Sequence, residues 1–466
     1  MAAWIGTNHL VRLLEGWAIG DGALPVRLAS TLRHLVRSGA LPAGARLPSE
    51  RALATALFVG RNTVSAAFDT LRGEAVFTSR RGDGTYVSAA RRFALARGDD
   101  RLHSFLAGPD PTDSAIDLQS AAVPGLDMVA EEADRVRGDG IRPLLDSHGY
   151  LPGGLDSLRT EVAAMYSRLG LPTTEEQVLI TSGAQQALRL AVASILDPGA
   201  TVLIEEPSFR GAIEVLRGAG AHLIPVPSGS DGVDVPALSR ALRAHRPSLV
   251  VLQSTVHNPT GSVLEDDARK AVATLAETYG VPVIDDISPA DTLVDRAQPV
   301  PMAAYGSPVI TIGSASKAFW GGLRVGWLRA DPDTVQTLAS LKGGEDLGTS
   351  LLAQSVVAAL LPRIDEARAA RAAWLKPARN TLLTALDELL PDWEVQIPAG
   401  GASVWIRLPT ASAQSFAQRA ERAGVRLLPG PTFSCVDGLD NHLRIGFARP
   451  LPEVLAGVRR LARIRT

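Results

Sequence analysis

The stretch Gly313-Ser-Ala-Ser-Lys-Ala-Phe-Trp-Gly-Gly-Leu-Arg-Val-Gly-Trp327 decides how the rest of the chain is read. Lys317 stands among small residues, with Ser314 and Ser316 before it and Gly321, Gly322 and Arg324 after it. The chain has only four lysines, Lys270, Lys317, Lys342 and Lys376, because its basic residues are nearly all arginine. A lysine kept in a Gly/Ser-rich turn points to chemistry that arginine cannot perform, since a primary amine forms a Schiff base with an aldehyde. Nearby hydroxyls and a guanidinium suit an anion such as a phosphate. S-x-S-K alone leaves open the alternative of a solvated surface turn.

Outward from this stretch, apolar runs alternate with helical patterns. Strands are expected at 178–181, 201–204, 222–225, 249–252, 281–285 and 309–312, with helices at 185–196 and 266–279. Continuous apolar strands alternating with helices predict an α/β fold with a mostly parallel central sheet. Ligands of such sheets bind at the carboxyl ends of the strands, and the polar candidates follow those ends. Thr181-Ser-Gly-Ala-Gln-Gln186 closes a strand and opens a helix whose free N–H groups suit a phosphate. Phe209 follows the next strand, Asn258 lies in His257-Asn-Pro-Thr-Gly261, and Asp285 ends the strand before the lysine.

The order SGAQQAL, EEPSF, HNPTG, VIDD, GSASK, GLRVGW, GGASVWIRLP and LRIGFARP resembles the fold-type I, class I/II aminotransferases across residues 116–466. That family binds pyridoxal 5'-phosphate. The resemblance implies that Lys317 forms the Schiff base and that Gly183, Ala184, Gln185, Ser314 and Arg324 hold the phosphate. It also implies that Phe209 stacks on the ring, Asn258 meets the phenolic oxygen and Asp285 meets the pyridine nitrogen. Arg444 matches the arginine that grips a substrate carboxylate. Tyr150 matches a tyrosine that reaches the phosphate across a homodimer interface. One departure is Ser288, where the family often has a tyrosine that hydrogen-bonds the phenolic oxygen. No metal site is expected.

The N-terminal part is different in kind. Residues 25–97 hold twelve arginines and no lysine against Glu50, Asp69, Glu74 and Asp83, a net +8, which leaves −10 for the rest of the chain. A basic module on an acidic body points to nucleic acid for the first part only. Three helical patterns, the second capped by Ser49, precede two short strands around Arg80-Arg-Gly-Asp-Gly84. This is the pattern of a winged helix-turn-helix. LPAGARLPSERALA, VGRNTVSAAFDTLRGE and SRRGDGTYV resemble the DNA-binding domain of the GntR family of bacterial regulators. The resemblance places Arg51, Arg61, Asn62 and Thr63 near phosphates and base edges of double-stranded DNA, and Arg81 and Gly82 at the wing tip. Phe58 and Gly60 depart from the glycine and the Ser/Thr usual there.

The domains are therefore read as a helical extension at 1–24, a winged helix at 25–88, a linker at 89–115 and an aminotransferase-like domain at 116–466. The single cysteine, Cys435, excludes an internal disulfide framework. No apolar run is long enough to span a membrane, and no signal-peptide pattern opens the chain, so a cytoplasmic protein is expected. The two resemblances together are the arrangement of the MocR subfamily. They imply a regulator that senses pyridoxal phosphate or an amino compound, with a working aminotransferase bearing an accessory DNA-binding head as the alternative.

Overall fold

Leu28, Leu32 and Leu35 recur at three- and four-residue steps, and in the computed structural model they line the buried face of one helix. The structure describes residues 5–14, 17–18, 23–37, 40–42, 44–73, 76–80, 83–88, 115–409, 412–436 and 438–464. Two units divide the chain, Met1–Leu106 and Ala107–Thr466. The predicted wing-tip residues Arg81 and Gly82 lie outside the described residues, as does the predicted linker up to residue 114.

The first unit holds α1 (Thr7–Leu13), α2 (Leu24–Arg37), α3 (Glu50–Ala56) and α4 (Arg61–Gly73), followed by β1 (Phe77–Arg80) and β2 (Gly84–Val87). Ser49 caps α3 by accepting from Ala52 N at 3.2 Å. Val64, Ala67, Phe68 and Leu71 give α4 its buried stripe, and Leu10 of α1 and Leu14 just after it join the same core. Glu50 fastens α3 to α4, accepting from Arg72 Nη2 at 2.7 Å and Ser65 Oγ at 2.6 Å. The two strands pair antiparallel with Phe77 opposite Val87.

The second unit opens with β3 (Ile116–Asp117), α5 (Met128–Arg135) and α6 (Asp156–Arg168). The alternating segment then runs β4 (Val178–Thr181), α7 (Ala184–Ile195), β5 (Thr201–Glu206), α8 (Arg210–Gly218), β6 (His222–Gly229), β7 (Gly232–Val233), α9 (Val235–His245) and β8 (Leu249–Leu252). It continues through α10 (Asp266–Tyr279), β9 (Val283–Asp286), β10 (Val309–Ser314), α11 (Ala315–Ala318) and β11 (Gly326–Arg329). After α12 (Pro332–Asp346), α13 (Leu351–Leu360) and α14 (Ile364–Leu389) come β12 (Glu394–Gln396), β13 (Ser403–Arg407), α15 (Ala413–Arg422), β14 (Val425–Arg426), β15 (Leu428–Pro429), β16 (His442–Gly446) and α16 (Leu451–Arg463).

An eight-stranded sheet has the order β4-β11-β10-β9-β8-β5-β6-β7. The strands from β10 to β6 are mutually parallel, while β11 runs antiparallel to both its neighbours and β7 antiparallel to β6. Helices α7, α8 and α12 cover one face, and α9 and α10 cover the other. β9 begins at Val283, two residues later than the apolar run suggests, after Pro282, which has no N–H for the ladder. β12, β13, β16 and β15 form a separate antiparallel sheet packed with α15 and α16. α14 serves both lobes: Ile364 and Ala367 lie in the core with α5, α6 and α13, whereas Leu375, Leu382 and Leu386 lie in the core of the smaller sheet.

Candidate functional site

Lys317 sits on α11, the one-turn helix between β10 and β11. Ser314 caps that turn: its Oγ accepts from Ser316 N at 3.1 Å and lies 3.3 Å from the Val325 carbonyl. The amine of Lys317 lies 3.4 Å from the Ala121 carbonyl, at a cavity also lined by Val123, Asn258, Thr292 and Ser403. Burial, then the charges of Arg444 and Arg371, pull its pKa down to about 8, against Asp286. A substantial neutral fraction near physiological pH is what an amine nucleophile needs.

Arg444 on β16 is buried and donates through Nη1 to Asn258 Oδ1 at 3.0 Å and through Nη2 to the Gln119 carbonyl. Its Nε has no hydrogen-bond partner, and no ion pair to it occurs among the described residues. Its guanidinium stands 5.0 Å from the centre of the Phe433 ring. Burial and the charge of Arg210 lower its pKa to about 9, which leaves it a cation at neutral pH. A buried cation with an open donor invites an anion, because an uncompensated buried charge is costly. Asn258 thus shares a cavity with Lys317, and Arg444 is joined to that cavity through its bond to Asn258.

Asp285 is fully buried, and Ser254 satisfies both of its oxygens, through its backbone N at 3.1 Å and its Oγ at 2.8 Å. Ser254 Oγ in turn accepts from Arg269 Nη1 at 2.7 Å. Burial raises the Asp285 pKa, while Arg269 and Ser254 work against that shift. Asp286 is held by Gln253 Nε2 at 2.9 Å and by the backbone N of Ser288 at 3.0 Å. It is the carboxylate whose charge reaches Lys317, a role not anticipated from the sequence. Adjacent strand residues point to opposite faces, so a D-D pair at a strand end leaves the facing carboxylate undecided until the fold is known.

The β4–α7 turn is a bare backbone concavity. Gly183 has φ 101°, and a Cβ there would stand 2.8 Å from Arg324 Nη2. A Cβ on Gly326 would meet the Gly183 carbonyl carbon at 2.7 Å. The first N–H groups of α7, at Ala184 and Gln185, have no acceptor within the helix by its geometry. Arg324 is exposed and bonds the Ser182 carbonyl through Nη2 at 2.9 Å. Positive helix end, guanidinium and glycine clearance are the donor set of a phosphate site. Phe209 is partly buried at the start of α8. Tyr150 is 59% exposed and stacked on His148, and the structure does not bring it to the Lys317 cavity. These features fit pyridoxal 5'-phosphate: a partly deprotonated amine, buried acids near it, and anion donors at a helix start.

In the first unit, Arg51, Arg61 and Asn62 are exposed at the starts of α3 and α4, and Thr63 is half-buried one residue on. Phe58 and Gly60 occupy the turn between α3 and α4.

Residues 127–461 match the family described as Aminotransferase class I and II, and residues 25–87 match the bacterial regulatory proteins of the gntR family. The chain belongs to the aminotransferase class I and II family and carries a GntR-type helix-turn-helix domain in front of it. It is 35% identical to a 2-aminoadipate transaminase of Thermus thermophilus over 72% of this chain and 85% of that one. It is 27% identical to the uncharacterized HTH-type transcriptional regulator YdfD of Bacillus subtilis over 90% of this chain and 91% of the other. Among solved structures, LysN, the alpha-aminoadipate aminotransferase of Thermus thermophilus complexed with N-(5'-phosphopyridoxyl)-L-leucine, is similar with a TM-score of 0.70. The identity is 31%, over 78% of this chain and 93% of that one.

Proposed function

We propose that the chain is a pyridoxal-phosphate-dependent, DNA-binding transcription regulator whose aminotransferase domain reads an amino compound. The observation that carries this is the joining of two complete modules in one chain, alongside regulators that share the same arrangement over nine-tenths of their length. Pyridoxal 5'-phosphate supplies an aldehyde for a primary amine and a ring that acts as an electron sink. Lys317 presents the amine, and the α7 N-terminus with Arg324 and Ser314 holds the phosphate. Asn258 faces the phenolic oxygen, Phe209 covers the ring, and a carboxylate of the Asp285–Asp286 pair keeps the pyridine nitrogen protonated. Arg444 clamps the effector's carboxylate with a planar fork.

The same reading makes the protein a cytoplasmic homodimer, in which the exposed Tyr150 reaches the phosphate of the second copy. Arg51, Arg61, Asn62, Thr63 and the wing residues Arg81 and Gly82 contact DNA. No helix among the described residues is long and apolar enough to cross a membrane. Ser288 puts no phenol at the cofactor's oxygen, which weakens one support of complete transamination.

The test loads the full-length protein with pyridoxal 5'-phosphate and adds a panel of amino acids. Visible absorbance, keto acid and affinity for an enriched double-stranded DNA pool are then measured. A spectral change with altered DNA affinity and no keto acid is the expected result. Stoichiometric keto acid with indifferent DNA binding makes the protein a transaminase bearing an accessory head.

A further inference from the structure

We propose that Arg371 is a positioning residue for Lys317, holding the lysine's main chain from the helix that joins the two lobes. Arg371 lies on α14 between Ala367, which belongs to one core, and Leu375, which belongs to the other. Its side chain is 1% exposed. Nε donates to the carbonyls of Lys317 at 3.0 Å and Ala318 at 2.9 Å, and Nη2 donates to that of Phe319 at 2.6 Å. These are the carbonyls at the end of α11, which a one-turn helix leaves without N–H donors of its own. A cation is also favoured there by the helix dipole.

A plain structural cap needs no charge so deep, since burying a guanidinium without a carboxylate is costly. No ion pair to Arg371 occurs among the described residues, and burial is the sole cause of its lowered pKa of about 10. Its charge therefore acts outward. The charged groups that act on the Lys317 amine are Arg444 from β16, Arg371 from α14 and Asp286 from β9. Two cations oppose one anion, so the arginines favour the neutral amine. Arg371 thus does two things to one residue: it fixes where the amine starts from, and it makes the neutral form easier to reach. The arrangement also ties the lysine to a helix rooted in both lobes, so that relative movement of the lobes is felt at the amine.

This inference rests on Lys317 being the cofactor lysine, and the experiment separates the two. Apoprotein of full length is mixed with pyridoxal 5'-phosphate at a series of pH values. Capture is followed by visible absorbance and by the mass of the borohydride-fixed adduct on Lys317. The lysine reacts as the neutral amine, with loss of water, so the rate rises with pH through its pKa. R371M removes the charge and the fork. Its midpoint is expected to move up by about half to one pH unit, making capture at pH 7 about threefold to tenfold slower. R371K keeps the charge but has no planar fork. Its midpoint is expected to stay near that of the wild type, while its affinity for pyridoxal 5'-phosphate falls about tenfold.

An unchanged midpoint in folded R371M overturns the electrostatic role. Wild-type affinity in R371K overturns the positioning role, and R371K decides alone if R371M does not fold. Wild-type protein that captures no cofactor, or K317A that captures it equally well, instead removes the reading on which the inference stands.

Discussion

Phe58 stands at φ 54° in the turn between α3 and α4 with 96% of its surface in solvent. A left-handed backbone costs a residue with a Cβ about 1–2 kcal/mol, and among the described residues the exposed ring gains no burial to offset it. F58G is therefore expected to stabilise the turn by about 1 kcal/mol, seen as roughly fivefold slower amide exchange in α3 and α4 of the full-length protein. Unchanged or faster exchange would show that the turn relaxes without cost. Arg444 poses the opposite case, a residue whose removal spares the fold's main contacts but empties a binding function. R444A is expected still to capture pyridoxal 5'-phosphate at a pH above the Lys317 midpoint, which loses a neighbouring cation and moves up, while losing the response to amino acids by about 2 kcal/mol or more, read by spectral titration at that pH. Loss of both together would place Arg444 in the cofactor's support instead.

At the scale of elements, the β4–α7 turn makes a sharp separation possible. G183A puts a methyl group 2.8 Å from Arg324 Nη2 at a positive φ, so the concavity at the helix start is disturbed while the lysine is untouched. The variant is expected to bind pyridoxal 5'-phosphate at least about tenfold more weakly, yet to bind pyridoxal, which lacks the phosphate, as the wild type does. Equal losses for both would mean that the turn does not hold the phosphate. A second element-level feature joins β5 to the turn after β8. Glu205 and His257 are both buried, with Oε2 and Nε2 3.6 Å apart. Burial pushes Glu205 up to about 8 and His257 down to about 3, so both shifts favour a neutral pair. The folded state keeps the Glu205 proton after the unfolded chain has lost it, so this contribution to stability is full in acid and declines as pH rises toward 8. The His257 contribution has the reverse sign and is lost as pH falls from about 6.5 toward 3. E205Q removes only the alkaline decline. Its Tm advantage over wild type is expected to grow from pH 5 to pH 8, by at least about 3 °C, and a pH-independent difference would refute the neutral pair.

These elements also show where the sequence was readable. β4, β8 and α10 match their predicted ranges, because fully buried apolar strands and a helix ended by Gly280 write their patterns plainly. β11 is not foreseen as a strand, since Val325 to Arg329 reads as part of the lysine segment and one of its antiparallel partners, β4, is far away in sequence. The antiparallel sheet of the smaller lobe was equally hidden, its strands being short and separated by loops. Within the site, Lys317, Asn258 and Arg444 came from local motifs. Asp286, Ser254, Arg269 and Arg371 did not, because their roles depend on which strand face or helix side turns toward the lysine.

For the whole molecule, the charge division sets the physical terms. A net +8 over residues 25–97 against −10 elsewhere means that DNA affinity resides in the first module and must weaken with salt through released counterions. A sensor needs more than two working modules, because it requires a coupling free energy between them. If an amino compound changes DNA affinity by some factor, DNA must change the affinity for that compound by the same factor. The proposed regulator is therefore expected to show equal factors, about fivefold or more, in two titrations of cofactor-loaded protein: DNA with and without the amino acid, and amino acid with and without the enriched DNA. A factor of one in both directions would leave two independent activities in one chain, with the DNA-binding module serving only to place a transaminase on the chromosome. Unequal factors would point to a catalytic step within the measurement, since reciprocity holds for binding and not for turnover. The pair of titrations thus decides between sensing and catalysis without knowledge of the regulated genes.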